Sequence, residues 1–397
     1  MKFSFINNKI CYLALVCFSF CCFSFPAHAI GPTLVLDIKS GQVLHSENPR
    51  AVWHPASLTK LMTAYTLFQE VKMGRMTLNS KIKMTYEAAT KPPSRSNIMP
   101  GREFTLANGL MLLIVKSAND VAVALAQASA GSEQEFANRM NWWAQKLGMT
   151  DSYFVNAHGL HHEMQRTSAR DMAILGQAIF KEFPKYSKLF QTRTIELDGK
   201  KMQSYNNLLE RYPGVTGMKT GYICPSGYNV ITSAKRGTRH YLAVILGARS
   251  SLYRGEVAHG LLDYYLKGGK KLANPSRNLH QLSHGVQLGS PYNLRPVICR
   301  TKNKQHAYPA SLISPIAEQF RKKMPPRVRK EAVKISLIPK RILLPKRRPI
   351  LASDAFNSAQ MHSVASRWGT NHLPKQYRRL QPPRSRPLMS GHALIRP

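Results

Sequence analysis

Acidic residues are scarce in this 397-residue chain: 20 Asp and Glu stand against 57 Lys and Arg, a formal net charge of +37. That deficit excludes an acidic or neutral housekeeping enzyme and demands a reason for so much positive charge. Cysteine is sparse too. Of the six, Cys11, Cys17, Cys21 and Cys22 fall in an N-terminal segment read as cleaved, which leaves Cys224 and Cys299 and no zinc-ligand spacing. Those two are expected to stay unpaired, because Cys299 lies in a Pro- and Lys-rich stretch with little pattern. The apolar run from Ile10 to Phe25 falls short of the roughly 20 residues a membrane-spanning helix needs. Lys2 and Lys9 precede it and Ala27-His28-Ala29 closes it, so residues 1–29 read as a signal peptide and the protein as exported.

What the chain does have is a folded middle and a basic end. Thr33 to Ile38 alternates as a strand, and Ser40-Gly41 offers a turn into Val43 and Leu44, so the mature protein opens on a β-hairpin. Helical spacing recurs over Ser57 to Val71, and Thr105 can cap a helix through Leu110 and Leu113 that breaks near Ser117 to Asn119. Further helices are expected over Val121–Ala130, Gln134–Leu147, Ala169–Phe180 and Gly255–Leu266, with strands over Asn229–Lys235 and His240–Leu246. Strands near both ends and helices between them predict a mixed α/β (α+β) domain over 30–270, an antiparallel sheet beside a helical cluster, with one core. From Lys270 onward 26 basic and 3 acidic residues and 15 of the 25 prolines accumulate. This basic, Pro-rich tail, 271–397, is expected to be largely disordered, with any ordering conditional on a partner; Ala332–Ile338 could make a short strand, but no run of alternating segments supports a compact β domain. Its clusters Arg321–Lys323, Arg327–Lys330 and Lys346–Arg348 suit an anionic envelope polymer or membrane surface. Its six aromatics form no stacking pattern, which argues against specific nucleic-acid recognition.

Three short motifs carry chemistry. Ser57-Leu58-Thr59-Lys60 puts a hydroxyl and an amine on one helix face, where a lysine of lowered pKa can take the serine proton. Ser117-Ala118-Asn119 falls at a helix break, where both polar side chains can reach a cleft. Lys219-Thr220-Gly221 offers a cation and a hydroxyl for a carboxylate, with a glycine that lets a substrate backbone approach. Taken singly, each is also what a helix cap or tight turn supplies.

Together and in this order, S-x-x-K, S-x-N and K-T-G are the motif set of the penicillin-interacting serine enzymes. With Trp53-His54-Pro55-Ala56, Asn156-Ala157-His158-Gly159-Leu160, Ser168-Ala169-Arg170-Asp171 and Ser226-Gly227-Tyr228-Asn229, residues 30–270 resemble the low-molecular-mass penicillin-binding proteins that are D-alanyl-D-alanine carboxypeptidases. The resemblance implies a β-lactamase/transpeptidase-like fold and removal of the terminal D-alanine from peptidoglycan stem peptides. It makes Ser57 the nucleophile, Lys60 its base, Ser117 a proton relay and Asn119 an amide contact, with Lys219, Thr220, Gly221 and Arg254 at the substrate carboxylate. It also implies acylation by β-lactam antibiotics and calls for no metal or other cofactor. His158 is expected to be structural. Three rivals share parts of the pattern: a D,D-endopeptidase, a class A β-lactamase, which needs an additional loop glutamate, and a non-enzymatic cationic envelope-binding protein.

Overall fold

The computed structural model describes residues 31–270, 278–282, 290–299, 313–328 and 331–338. The expected signal peptide and the basic cluster Lys346–Arg348 lie outside the described residues.

In the five-stranded antiparallel central sheet, β1 (Thr33–Asp37) lies between β2 (Val43–Glu47) and β9 (Arg239–Ala248), and β8 (Gly227–Arg236) lies between β9 and the edge strand β7 (Val215–Ile223), while β3 (Lys81–Lys83) and β4 (Glu103–Thr105) pair separately. The chain opens with the hairpin of β1 and β2 and returns to the sheet far downstream with β7, β8 and β9. Strand alternation fills two cores at once. Leu34, Leu36, Leu242, Val244 and Leu246 point to one face, and Val35, Ala243 and Ile245 to the other.

The first face carries the helical cluster. Its members are α1 (Thr59–Lys72), α2 (Leu106–Met111), α3 (Asn119–Ala130), α4 (Glu133–Leu147) and α5 (Ala169–Glu182). Thr105, Ser132 and Ser168 cap α2, α4 and α5 by accepting from the backbone N–H three residues on, which fixes where each helix begins. α1 is buried almost all round, so its stability comes from packing of Leu61, Met62, Tyr65 and Phe68, each contributing about 1.5–3 kcal/mol of apolar burial. Its buried threonines need partners, and the Thr63 hydroxyl donates to the Ala157 carbonyl at 2.6 Å.

On the second face lies α6 (Ser251–Leu266), where Val257, Leu261 and Leu262 meet the sheet. The outer side of α6 is also covered, by chain from beyond the expected domain end. Helix α7 (Pro315–Gln319) and the residues after it lie on α6, and Ala317 and Met324 are buried there. Leu279 and Leu294 join the main core, and within Ala332–Ile338, where the composition favours disorder over a short strand, Val333–Ile335 forms β10, parallel to β5 (Thr194–Leu197) in a small sheet completed by β6 (Lys200–Gln203). The described stretches past Lys270 therefore continue the folded unit, which corrects the expectation of a largely disordered tail for these stretches.

The expectation for the cysteines is corrected. Cys224 and Cys299 form a disulfide, with Cα atoms 5.7 Å apart. The reason is that residues 290–299 are seated: the Leu294 N–H donates to the Pro225 carbonyl at 2.8 Å and the Leu294 side chain is fully buried, which brings Cys299 to the β7–β8 turn.

Candidate active site

The approach to α1 is held from several directions. The Trp53 indole N–H donates to the Ser226 carbonyl at 2.9 Å, and the Asn229 amide donates to the carbonyls of His54 and Pro55 at 3.0 and 3.3 Å. A 3₁₀ turn, Ala56–Leu58, then leads into the helix and leaves Ser57 partly exposed at its start.

Lys60, one turn further on, is completely buried. Its Nζ lies 3.1 Å from Ser57 Oγ, 2.6 Å from Asn119 Oδ1 and 2.5 Å from the His158 carbonyl. Those partners fit a neutral amine: two N–H groups donate to the two carbonyl-type oxygens, and the lone pair is left for the Ser57 hydroxyl proton. Burial and the nearby Lys219 both push the Lys60 pKa well below its ordinary value, with Asp120 and Glu133 opposing more weakly. The His158 ring faces Glu133 at 3.3 Å and accepts from the Leu160 N–H, and burial beside Lys60 lowers its pKa to about 3. It is therefore a neutral structural ring whose backbone carbonyl orients the lysine.

Ser117 stands at the predicted helix break. A single π-helical stretch, Leu112–Lys116, follows α2, and Ser117 itself adopts a left-handed backbone (φ 59°) that turns the chain into α3. Asp120 secures this corner by accepting from the Ser96 N–H and hydroxyl at 2.9 and 2.7 Å. The Asn119 amide donates to the Pro92 carbonyl at 2.9 Å, so its oxygen is left facing Lys60.

The third motif lies on β7, the edge strand, the sheet-edge position its role requires. There the Lys219 ammonium donates to Ser117 Oγ and to the Thr220 carbonyl, both at 2.9 Å. Burial, with Arg254 nearby, lowers the Lys219 pKa to about 7. A Cβ on Gly221 would sit 2.8 Å from the Pro55 carbonyl and 3.0 Å from the Ser57 nitrogen, so only glycine lets this strand cross Ser57 so closely. Arg254, on the first turns of α6, is buried and donates to the carbonyls of Asn229 and Tyr205, both at 3.2 Å.

Ser57, Ser117, Asn119, Thr220, Gly221 and Arg254 line one cavity of about 380 Å³. Lys60 and Lys219 reach it through the two serines. The seven motif residues and Arg254, which the resemblance supplied, thus converge. Gly159, Leu160 and Tyr228, from segments that carry the resemblance, also line the cavity, and sequence reasoning missed Ser94, Tyr205 and Ser251, which belong to none of those segments. Among the described residues no carboxylate lines the cavity, and no group of three or more His, Cys, Asp or Glu could hold a metal ion.

A serine just before a buried helix with a lysine on its first turn, a second serine held by a lysine, and an edge strand across them are the arrangement that the three motifs imply for a serine enzyme of the S-x-x-K type. A family model described as D-alanyl-D-alanine carboxypeptidase matches residues 23–250, over half of the chain, and the chain belongs to that family. It is 32% identical over 242 residues to D-alanyl-D-alanine carboxypeptidase DacF of Bacillus subtilis, covering 60% of this chain and 62% of that one. It is 34% identical over 238 residues to DacC of Escherichia coli, covering 58% and 60%. The chain thus spans about three fifths of the length of these relatives. Among solved structures it is similar to penicillin binding protein 6B from Escherichia coli (33% identity, TM-score 0.57, 60% and 77% of the two chains). It is also similar to penicillin-binding protein D2 from Listeria monocytogenes in its cefotaxime-bound form (26%, 0.54, 59% and 96%).

Proposed function

We propose that this protein is an exported serine-type D-alanyl-D-alanine carboxypeptidase that trims the terminal D-alanine from peptidoglycan stem peptides. The observation that carries the reading is the pairing of an amine-activated serine with two buried cations in a cavity that no carboxylate lines. A free substrate carboxylate would complete that site by pairing with Lys219 and Arg254.

The residues divide the reaction as follows. Lys60 takes the Ser57 proton as Ser57 Oγ attacks the carbonyl carbon of the penultimate D-alanine. Asn119 receives the peptide amide. When the C–N bond breaks, the departing D-alanine amine collects a proton through Ser117, which Lys219 holds in place. Water then cleaves the ester and returns Ser57. A β-lactam carries an acyl bond and a carboxylate in similar relation, so it is expected to acylate Ser57. Among the described residues no carboxylate lines the cavity, which disfavours the β-lactamase alternative, as that uses a glutamate to activate the deacylating water. The basic chain beyond Pro339 would hold the enzyme near an anionic envelope polymer or membrane surface.

The test is D-alanine release from a pentapeptide ending in D-Ala-D-Ala by the full chain, beside Ser57→Ala. Release that disappears in the variant is expected. Cleavage of crosslinked dimers without D-alanine release would instead establish an endopeptidase.

A pH dependence follows. The reaction needs Lys60 neutral and Lys219 charged, so kcat/KM should fall at low pH as Lys60 protonates and fall again above about pH 7 as Lys219 in the empty site loses its proton. Bound carboxylate favours the charged form, so the alkaline limb of kcat should lie at higher pH than that of kcat/KM. Lys219→Arg should carry the alkaline limb of kcat/KM upward, and an unmoved limb would show that Lys219 is not the group responsible.

A further inference from the structure

We infer that the strap formed by residues 314–324 positions Arg254 and so tunes the carboxylate end of the site, an inference that rests on the function proposed above. Arg254 faces the cavity, but its neighbours on the same turn of α6 are gripped from the opposite side. The Tyr253 hydroxyl donates to the Glu318 carboxylate at 2.7 Å, and the Arg321 guanidinium lies over the Tyr253 ring. Arg321 also pairs with Glu256 at 2.6 Å, and the Lys322 N–H donates to the Glu256 carbonyl at 3.2 Å. Thus the residue before Arg254 and the second residue after it both answer to the strap.

The helix is shaped to receive it. Gly255 and Gly260 sit inside α6, where glycine costs roughly 1 kcal/mol relative to alanine in helix propensity. Both are explained by the strap. A Cβ on Gly255 would lie 2.9 Å from Met324 Sδ, and one on Gly260 would overlap the Phe320 carbonyl. The strap is in turn tied down at its start. Ser314 Oγ donates to the Gly31 carbonyl at 2.7 Å, and the Glu47 carboxylate accepts the N–H groups of Ile316 and Ala317. Further along, Lys322 pairs with Asp263 at 2.7 Å. Arg254 itself holds only neutral oxygens, the Asn229 and Tyr205 carbonyls and Ser251 Oγ, so no carboxylate fixes its guanidinium from within the site. Its place is set by its helix turn, and that turn is clamped by the strap.

The test uses the full chain and two probes, a penicillin with its free carboxylate and the methyl ester of the same compound. Wild-type protein should be acylated faster by the acid. Gly260→Ala, which fills the seat, and Arg321→Gln, which removes the Glu256 pair on the exposed side, should each slow acylation by the acid roughly five- to tenfold, the scale of one weakened charge-assisted hydrogen bond. Acylation by the ester should be unchanged, and Arg321→Lys should restore most of the loss. Equal slowing of both probes, or no slowing in Arg321→Gln, would overturn the positioning role and leave the strap as a stabilising element alone. If Gly260→Ala fails to fold, Arg321→Gln decides the matter by itself. Absence of acylation of wild type by either compound would instead overturn the proposed function, and the positioning role with it.

Discussion

A Lys60→Ala variant is expected to lose penicillin acylation of Ser57 by about 10²- to 10⁴-fold, the contribution a positioned general base makes to proton transfer. The geometry leaves Ser57 no substitute base. Lys60 Nζ is 3.1 Å from the nucleophile, whereas Lys219 is engaged with Ser117 and the His158 ring is turned to Glu133. The protein should nevertheless fold. Losing the amine leaves the Asn119 amide oxygen and the His158 carbonyl short of a donor, which costs about 1–3 kcal/mol for each unsatisfied group, but it also removes a buried titratable amine that is costly to charge. Stopped-flow acylation alongside thermal unfolding checks both halves. Normal acylation in a folded variant would remove Lys60 from the mechanism.

The second large effect concerns the carboxylate. Lys219→Gln keeps a donor for Ser117 but discards the charge. Hydrolysis of a peptide ending in free D-alanine should fall by about 2–4 kcal/mol in transition-state binding, roughly 30- to 1,000-fold, as expected when one member of a buried charge pair is truncated. The same peptide with a C-terminal amide, already a poor substrate for wild type, should lose much less. Parallel kcat/KM measurements on the two peptides give the comparison. Equal losses would mean that Lys219 serves only to hold Ser117.

These expectations rest on residues that could be read from the chain before its fold, and the reason is chemical. A nucleophile and its base at i and i+3 need only a helix to meet, and the periodicity of Leu58, Leu61, Met62, Tyr65 and Phe68 announces that helix. The hairpin β8–β9 and helices α3 to α6 declared themselves in the same way, through alternation or capped apolar spacing. The unread parts depend on contacts between distant segments. Lys219-Thr220-Gly221 lies on the sheet edge its chemistry calls for, but the packing of Gly221 against Pro55 and Ser57 depends on a segment more than 160 residues away and has no local signature. The His158 carbonyl was invisible because a backbone oxygen has no residue signature, and the histidine ring drew attention to the wrong end of the residue. The stretches beyond Lys270 carry isolated anchors, Leu279, Leu294, Ala317 and Met324, that fill seats on a completed domain without any period of their own. Their composition therefore reads as disorder, and the Cys224–Cys299 bond, which depends on one of those seats, was missed with them.

The account stands most directly on Ser57 as the acylated atom. Incubating the full chain with a penicillin, digesting it and mapping the adduct by mass spectrometry tests that in one step. The predicted result is a single penicilloyl adduct on the peptide containing Ser57, absent from Ser57→Ala. An adduct on another residue, or none on the folded protein, would contradict it.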